Sequence, residues 1–354
     1  MKALVLSGGS GTRLRPFSYS MPKQLIPIAG RPVLEHVLDD IRGLGVREVG
    51  IVVGTWSPEI ERAIGDGSRL GLRVTYIRQE RPLGLAHCVR LGRPFLGDDD
   101  FVMYLGDNML PDGVADIAAS FRAERPAAQV VVQRVADPRA FGVAEVEPDG
   151  TVRRLVEKPR HPRSDLALVG VYFFTPAVHA AAEAVTPGAR GELEITDAIQ
   201  LLIDRGATVR AGVYGGYWKD TGRIEDVLEC NRHLLGGLRT EIAGEVDPLS
   251  SLSGPVVVAP GARVVRSRIV GPVIVGPGTL VEDSRIGPDV SLGAGCVLRG
   301  TGLSGSIVMD EASISGIDRL QDSLIGRAAV IAPRRDEIRH RLVIGDHTRV
   351  EIAA

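Results

Sequence analysis

The chain has 354 residues, 44% hydrophobic and 24% charged, with a formal net charge of -2 at pH 7. That length has room for two domains with proper cores, and the composition excludes wholesale disorder. Near-neutrality, with only 4% aromatic residues, excludes the basic, aromatic-laced surface of a nucleic-acid binder.

The N-terminus opens directly on strand-like Lys2-Ala3-Leu4-Val5-Leu6, which leaves no room for a signal peptide. No apolar run approaches the ~20 residues of a membrane helix, so a soluble, cytoplasmic protein without membrane partners is expected. Cys88, Cys230 and Cys296 are far apart, and neither a zinc site nor a disulfide framework is signalled.

The first strand, residues 3–6, runs into Ser7-Gly8-Gly9-Ser10-Gly11-Thr12-Arg13. Glycines here let backbone amides approach a phosphate chain closely, and Arg13 can bridge its oxygens. The turn lacks the dinucleotide-binding fingerprint, because the second strand ends Val53-Gly54 with no acidic residue for a ribose. Nor is it a Walker A loop, since no Gly-Lys-Ser/Thr closes it. A tight turn without a ligand is the alternative reading of the glycines alone.

A helix follows with Leu34, Val37, Leu38, Ile41 and Leu44 on one stripe, stopped by Gly45. Ser57-Pro58 predicts a second helix, with Ser57 as its cap and Pro58 at the first helical position. Strands at 49–53, 74–77, 101–105 and 130–134 are mostly continuous apolar runs of the kind buried in a parallel sheet. Strand, helix, strand in this order gives an open α/β sheet, with ligands at the carboxyl ends of its strands. A last helix is predicted over 223–238.

Beyond about residue 245 the period changes. Aliphatic residues recur at Val258, Val264, Ile269, Val275, Val281, Ile286, Leu292, Leu298 and Leu303, in steps of 6, 5, 6, 6, 5, 6, 6 and 5. Three steps therefore advance 17 residues, and Gly or Pro commonly follows. No helix has this period. A triangular coil of short parallel strands with one inward aliphatic per face does, and it predicts a left-handed parallel β-helix of hexapeptide type.

Of 42 basic residues only four are lysines, Lys2, Lys23, Lys158 and Lys219, leaving 38 arginines. A lysine kept in so arginine-rich a chain suggests a need for a compact point charge, which approaches a phosphate oxygen from any direction. Lys23 follows the glycine turn, Lys158 follows Glu157 and Lys219 precedes Asp220. For Lys158 a surface ion pair with Glu157 is the alternative, and for Lys219 simple exposure is the equal alternative.

Gly8-Gly9-Ser10-Gly11-Thr12-Arg13-Leu14-Arg15-Pro16, followed by Pro22-Lys23-Gln24-Leu25-Ile26-Pro27, resembles the signature of the sugar-1-phosphate nucleotidylyltransferases. Further matching segments are Gln79-Glu80-Arg81-Pro82-Leu83-Gly84, Leu105-Gly106-Asp107-Asn108, Phe141-Gly142-Val143 and Glu157-Lys158-Pro159. Arg190-Gly191-Glu192-Leu193-Glu194 and Trp218-Lys219-Asp220-Thr221-Gly222 complete the set. With the repeat attached, the chain is most similar to the long-form thymidylyltransferase branch found in actinomycete deoxysugar pathways of antibiotic biosynthesis. The resemblance implies a Rossmann-like nucleotidyltransferase domain over residues 1–240, a left-handed β-helix over 245–330 and a tail over 331–354.

It also implies dTTP and glucose 1-phosphate as substrates, dTDP-glucose and pyrophosphate as products, and Mg2+ as cofactor. UTP or another hexose 1-phosphate, or a non-catalytic regulatory homologue, are the competing readings. In such a reaction the attacking phosphate is already an anion, so charge neutralisation and in-line positioning matter more than a general base. The family pattern assigns Asp107 and Asp220 to the metal, a role suited to hard oxygen ligands. Gly8, Gly9, Gly11, Thr12 and Arg13 fall to the triphosphate, Lys23 to the transferred phosphate, and Lys158 to the sugar's phosphate. Gln79, whose amide both donates and accepts, and the backbone at Gly84 fall to the base. Glu157, with the backbone at Gly142 and Leu168, falls to the hexose. Phe141 stands where shorter relatives usually have Tyr, which leaves no hydroxyl there for a sugar contact.

Histidines at 36, 87, 161, 179, 233, 340 and 347 all lie outside the coils. Coil domains that transfer acyl groups use a histidine base, so assembly into a homo-oligomer through flat coil faces is the expected role.

Overall fold

The computed structural model describes residues 1–9, 11–188, 190–333 and 347. They divide into two compact units, Met1–Ser10 with Val33–Asp220, and Gly11–Pro32 with Thr221–Ala354. The second unit thus gathers residues from both sides of the linear boundary expected near 240.

The first unit is built on a nine-stranded sheet. Its middle is parallel: Lys2–Ser7 pairs in parallel with Glu48–Val53 on one side and Phe101–Leu105 on the other, and Arg73–Arg78 extends the row. Leu166–Phe174 then runs antiparallel to Phe101–Leu105 and to Ala128–Arg134, which carries Val209–Val213 in parallel. Gly142–Val146 and Val152–Glu157 form an antiparallel pair at one edge. The central strands are apolar on both faces and buried, as helices on both sides of a sheet require. The open, mostly parallel α/β architecture read from the sequence is what the chain adopts.

Helices α1 (Val33–Gly43), α2 (Ser57–Ile64), α3 (Leu85–Leu96), α4 (Ala115–Glu124), α5 (Ala177–Ala184) and α6 (Ile195–Asp204) belong to this unit. In α1, Leu34, Val37, Leu38 and Ile41 are fully buried, as their spacing predicts. Ser57 is not the cap of α2. Trp56 holds that position, and the Ser57 hydroxyl donates to the Glu61 carboxylate one turn on. Ser57 already lies inside the first turn, because the Trp56 carbonyl accepts the Ile60 amide at 3.2 Å, and Pro58 still sits in that turn.

In the second unit, α7 (Ile224–Leu235) follows Arg223 and stops before Gly236. Three parallel sheets of short strands come next, from Glu241–Ile242 to Val330–Ile331. Val258 pairs with Val275 and Val275 with Leu292; Val264 with Val281 and Val281 with Leu298; Ile269 with Ile286 and Ile286 with Leu303. All nine are buried in one core. The repeat then shortens by one residue on two faces, where Leu292 meets Val308 and Leu298 meets Ile314.

One corner of the coil carries a ladder of buried hydroxyls that the aliphatic spacing does not reveal. The Ser284 amide donates to Ser267 Oγ at 3.0 Å and the Thr301 amide to Ser284 Oγ at 3.1 Å. Ser267 and Ser284 in turn donate to carbonyls of their own coils. Each coil's corner amide, which would otherwise be buried without a partner, is satisfied by the coil before it. The extra strand expected in the tail beyond Pro333 lies outside the described residues.

The segment Gly11–Pro32 makes three single turns of 3-10 helix, Thr12–Leu14, Phe17–Tyr19 and Lys23–Leu25. A hairpin, Pro27–Ile28 with Arg31–Pro32, follows.

Candidate active site

The carboxyl ends of the parallel strands hold Ser7-Gly8, Gly54, Gln79 and Gly106-Asp107, where an open α/β sheet binds ligands. Gly8 is needed for close approach. A Cβ there would lie 2.8 Å from Gln79 Oε1. Gln79 is buried, and its amide nitrogen is 3.1 Å from both His87 Nδ1 and Cys88 Sγ. Burial pushes the Cys88 thiol up to about 12, so it stays protonated. Gly84 has φ 110°, and a Cβ on it would collide with the Leu193 backbone. Its lack of a side chain is therefore demanded by the protein itself, whatever its amide does.

Asp107 follows the strand Phe101–Leu105, and the next residue, Asn108, is the register partner of Asp220 in a two-stranded ladder. The two carboxylates assigned to a metal are thus brought to one corner of the first unit. Trp218 Nε1 donates to Asn108 Oδ1 at 2.7 Å, and Asn108 Nδ2 donates to Asp107 Oδ1 at 3.3 Å. The Trp218 ring packs on Phe141 at 5.1 Å between centroids. Among the described residues, no group of three or more His, Cys, Asp or Glu side chains could hold a metal unaided.

Asp220 and Asn108 also line a cavity of about 350 Å³, together with Gly142, Glu157, Lys158, Leu168, Tyr172, Arg190, Glu194 and Trp218. Glu157 ends its strand opposite Gly142. A Cβ at Gly142 would sit 2.7 Å from Leu168 Cδ1 and 3.2 Å from Glu157 Oε2. All four residues predicted to hold the sugar phosphate thus meet in this one cavity.

The Glu157 carboxylate accepts from Thr196 Oγ1 at 3.4 Å and from Arg190 Nη2 at 3.3 Å, and lies 3.6 Å from Lys158 Nζ. Its pKa is pushed up, first by burial and then by the Glu194 carboxylate, against the pull of Lys158 and Arg190. Lys158 has φ 42°, an uncommon conformation for a residue with a side chain, and its amide donates to the Phe141 carbonyl at 3.0 Å. The ion pair with Glu157 and the cavity position of Lys158 are both present.

Arg190 was not singled out by residue-type reasoning. It bonds Glu194 Oε1 at 2.6 Å as well as Glu157, and so ties the loop before α6 to the cavity wall. No spacing in the chain joins position 190 to position 157. Asn108 and Trp218 sat inside motifs, but their bond is equally invisible along the sequence.

Gly11, Thr12, Arg13 and Lys23 belong to the second unit. Gly11 has φ 60°, and a Cβ on it would lie 3.5 Å from Lys23 Cβ. The turn bearing Arg13 and the turn bearing Lys23 are therefore packed together, although ten residues separate them.

Such a cavity, lined by Lys158, Arg190 and Asp220 beside the carboxyl ends of an open sheet, suits group transfer between two phosphorylated molecules. Residues 2–236 match the nucleotidyl transferase family, and the chain belongs to it. The chain is 53% identical to a glucose-1-phosphate thymidylyltransferase of Streptomyces griseus, over 100% of both proteins. It is 52% identical to one of Streptomyces antibioticus, over 99% of both. A solved Bacillus anthracis structure in complex with sucrose superimposes with a TM-score of 0.63 at 30% identity, covering 68% of this chain and 97% of that one. The family resemblance read from the motifs is borne out. No described helix is long and apolar enough to cross a membrane.

Proposed function

We propose that this chain transfers the thymidylyl group of dTTP to glucose 1-phosphate, giving dTDP-glucose and pyrophosphate. The observation that carries the reading is the convergence of Gly142, Glu157, Lys158 and Leu168 on a cavity that also holds Asp220. End-to-end similarity to two thymidylyltransferases supports the choice of substrates.

Glu157 and the backbone at Gly142 and Leu168 take the hexose, and Lys158 meets its phosphate. Arg13 and Lys23, with the amides of Gly8, Gly9, Gly11 and Thr12, neutralise the triphosphate and the charge gathering on the departing pyrophosphate. Gln79 and the Gly84 amide take the thymine edge. For Gln79 this means releasing His87 or Cys88, because its amide nitrogen faces both of them. The sugar phosphate oxygen attacks the α-phosphorus as the bond to the β-phosphate oxygen breaks. No proton need be removed first.

Nucleotidyltransferases of this family generally use a divalent metal, and Asp107 and Asp220 suit Mg2+. The pairing of Asp220 with Asn108, the residue after Asp107, supports this assignment, because both carboxylates are hard oxygen donors of the kind Mg2+ would take. Bound there, Mg2+ supplies charge neutralisation to the triphosphate. The product feeds dTDP-deoxysugar and antibiotic glycoside synthesis in the cytoplasm, and the flat coil faces assemble the enzyme into a homo-oligomer.

The test is pyrophosphate release with dTTP or UTP against a panel of hexose 1-phosphates. The expected result is fastest turnover with dTTP and glucose 1-phosphate. Equal rates with UTP would move the assignment to a broader pyrimidine specificity, and no turnover with any pair would end the enzymatic reading.

A further inference from the structure

The segment carrying Arg13 and Lys23 rests on the coil. Four residues after Lys23, the hairpin Pro27–Ile28/Arg31–Pro32 turns through Ala29 (φ 49°) and Gly30 (φ 78°). Both central residues lie in the left-handed region, as a tight two-residue hairpin turn requires. The tip of that turn meets the coil, since a Cβ on Gly30 would lie 3.7 Å from Ile274 Cγ2.

Asn231 of α7 closes the junction. It is 1% exposed. Its Oδ1 accepts the Ala29 amide at 2.9 Å and the Ser291 hydroxyl at 2.8 Å. Ile274 and Ser291 are register partners on adjacent coil strands, so the hairpin tip and Asn231 grip neighbouring rungs. Near the other end of the segment, Arg15 and Phe17 line a cavity of about 630 Å³ whose opposite wall is the coil stretch Arg319 to Leu324. Phe17 also approaches Gly326, at 3.5 Å from where its Cβ would be.

We propose that Asn231 is a positioning residue for nucleotidyl transfer, latching the Arg13–Lys23 segment to the coil, and that the coil is thereby a working part of the enzyme. The inference rests on the reading that Arg13 and Lys23 act on the triphosphate. An acceptor that serves both the loop and the coil sets where the segment sits, and a misplacement of ~1 Å costs about a hundredfold in rate. Burial makes the arrangement unforgiving, because removing the acceptor strands the Ala29 amide.

Full-length Asn231→Leu, Asn231→Asp, Ser291→Ala and Arg13→Ala variants test it, with steady-state kinetics in both substrates. Asn231→Leu is expected to lower kcat about tenfold or more and to raise KM for dTTP, with KM for glucose 1-phosphate changed by less than about twofold. Asn231→Asp keeps the acceptor but loses the Nδ2 donor to the Asp289 carbonyl at 3.5 Å, and is expected to recover part of the kcat that Asn231→Leu loses. Ser291→Ala, which touches the latch only from the coil side, is expected to shift the same two parameters by about threefold, and it serves if Asn231→Leu does not fold. Wild-type kinetics in Asn231→Leu, or in Ser291→Ala if that variant alone folds, together with an inactive Arg13→Ala would overturn the latch while leaving the proposed reaction standing. A fully active Arg13→Ala would instead remove the reading on which the latch depends.

Discussion

Asp220 lies directly opposite Asn108 in a two-stranded ladder, which pairs it with the residue next to Asp107 although the chain separates the two aspartates by more than a hundred positions. Asn108 is held in turn by Trp218 at 2.7 Å. Both aspartates are thus fixed by one piece of backbone pairing and one indole bond.

Replacing either aspartate by its amide keeps its shape but removes the charge on which its proposed metal role depends. Asp107→Asn and Asp220→Asn are each expected to lower kcat by about a hundredfold or more, with unfolding temperatures close to wild type. Turnover assays across a range of Mg2+ concentrations check this. A variant with normal rate at low Mg2+ would remove that residue from the metal site.

Trp218→Phe keeps an aromatic ring against Phe141 but deletes the N–H that holds Asn108. A loss of about three- to tenfold in kcat is expected, since one neutral hydrogen bond is worth roughly 1 kcal/mol. Only Trp56 and Trp218 are present, so the difference between wild type and this variant in the tryptophan fluorescence change on adding dTDP-glucose reads the contribution of Trp218.

Gly142→Ala places a methyl group 2.7 Å from Leu168 and 3.0 Å from Thr196 Cγ2. Overpacking of this kind costs about 1–3 kcal/mol, readable as a lower denaturation midpoint. Because the same methyl lies 3.2 Å from Glu157 Oε2, KM for glucose 1-phosphate is expected to rise about tenfold, with KM for dTTP little changed. The opposite pattern would take Glu157 out of the sugar pocket.

Asp40 of α1 is half-buried, and its Oδ2 accepts from Tyr104 at 3.0 Å. Its pKa is raised from 3.8 to about 7, chiefly by burial and further by Asp39 and Asp112, against the Tyr104 bond. Between those values the folded protein holds a proton that the unfolded chain has lost. Stability is therefore fullest below the lower value, falls as pH rises toward about 7 and is flat beyond it. The total is no more than about 4 kcal/mol, less what solvent screens at the exposed side. Asp40→Asn keeps an acceptor for Tyr104, and is expected to stabilise the protein at pH 8 and flatten this dependence. Urea titrations at several pH values measure it, and an unchanged slope would place the Asp40 pKa near its ordinary value.

The coil was the most legible part of the chain. Its inward residues Val258 through Leu303 keep a spacing that only stacked parallel turns satisfy, and the pairing follows that spacing residue by residue. The sheet strands were nearly as plain, because a strand buried on both faces reads as an unbroken apolar run. The cap of α2 falls one residue earlier than expected, at Trp56, since where the first helical hydrogen bond forms depends on backbone geometry that sequence spacing leaves open. In the cavity, Glu157, Lys158 and Gly142 were visible as motif residues. Arg190 stood in a motif too, but its bond to Glu157 was not readable, because no fixed spacing joins the turn at 190 to the strand end at 157.

Periodicity therefore sufficed for the two architectures, and the resemblance of short motifs for the family, because each is written in short-range spacing. Which side chains meet was settled by packing alone. Asn231 between Ala29 and Ser291, Trp218 on Asn108 and the buried hydroxyl ladder each join residues with no fixed separation along the chain. Long-range hydrogen bonds of this kind arise only once the core has brought distant backbone together and excluded water from around it.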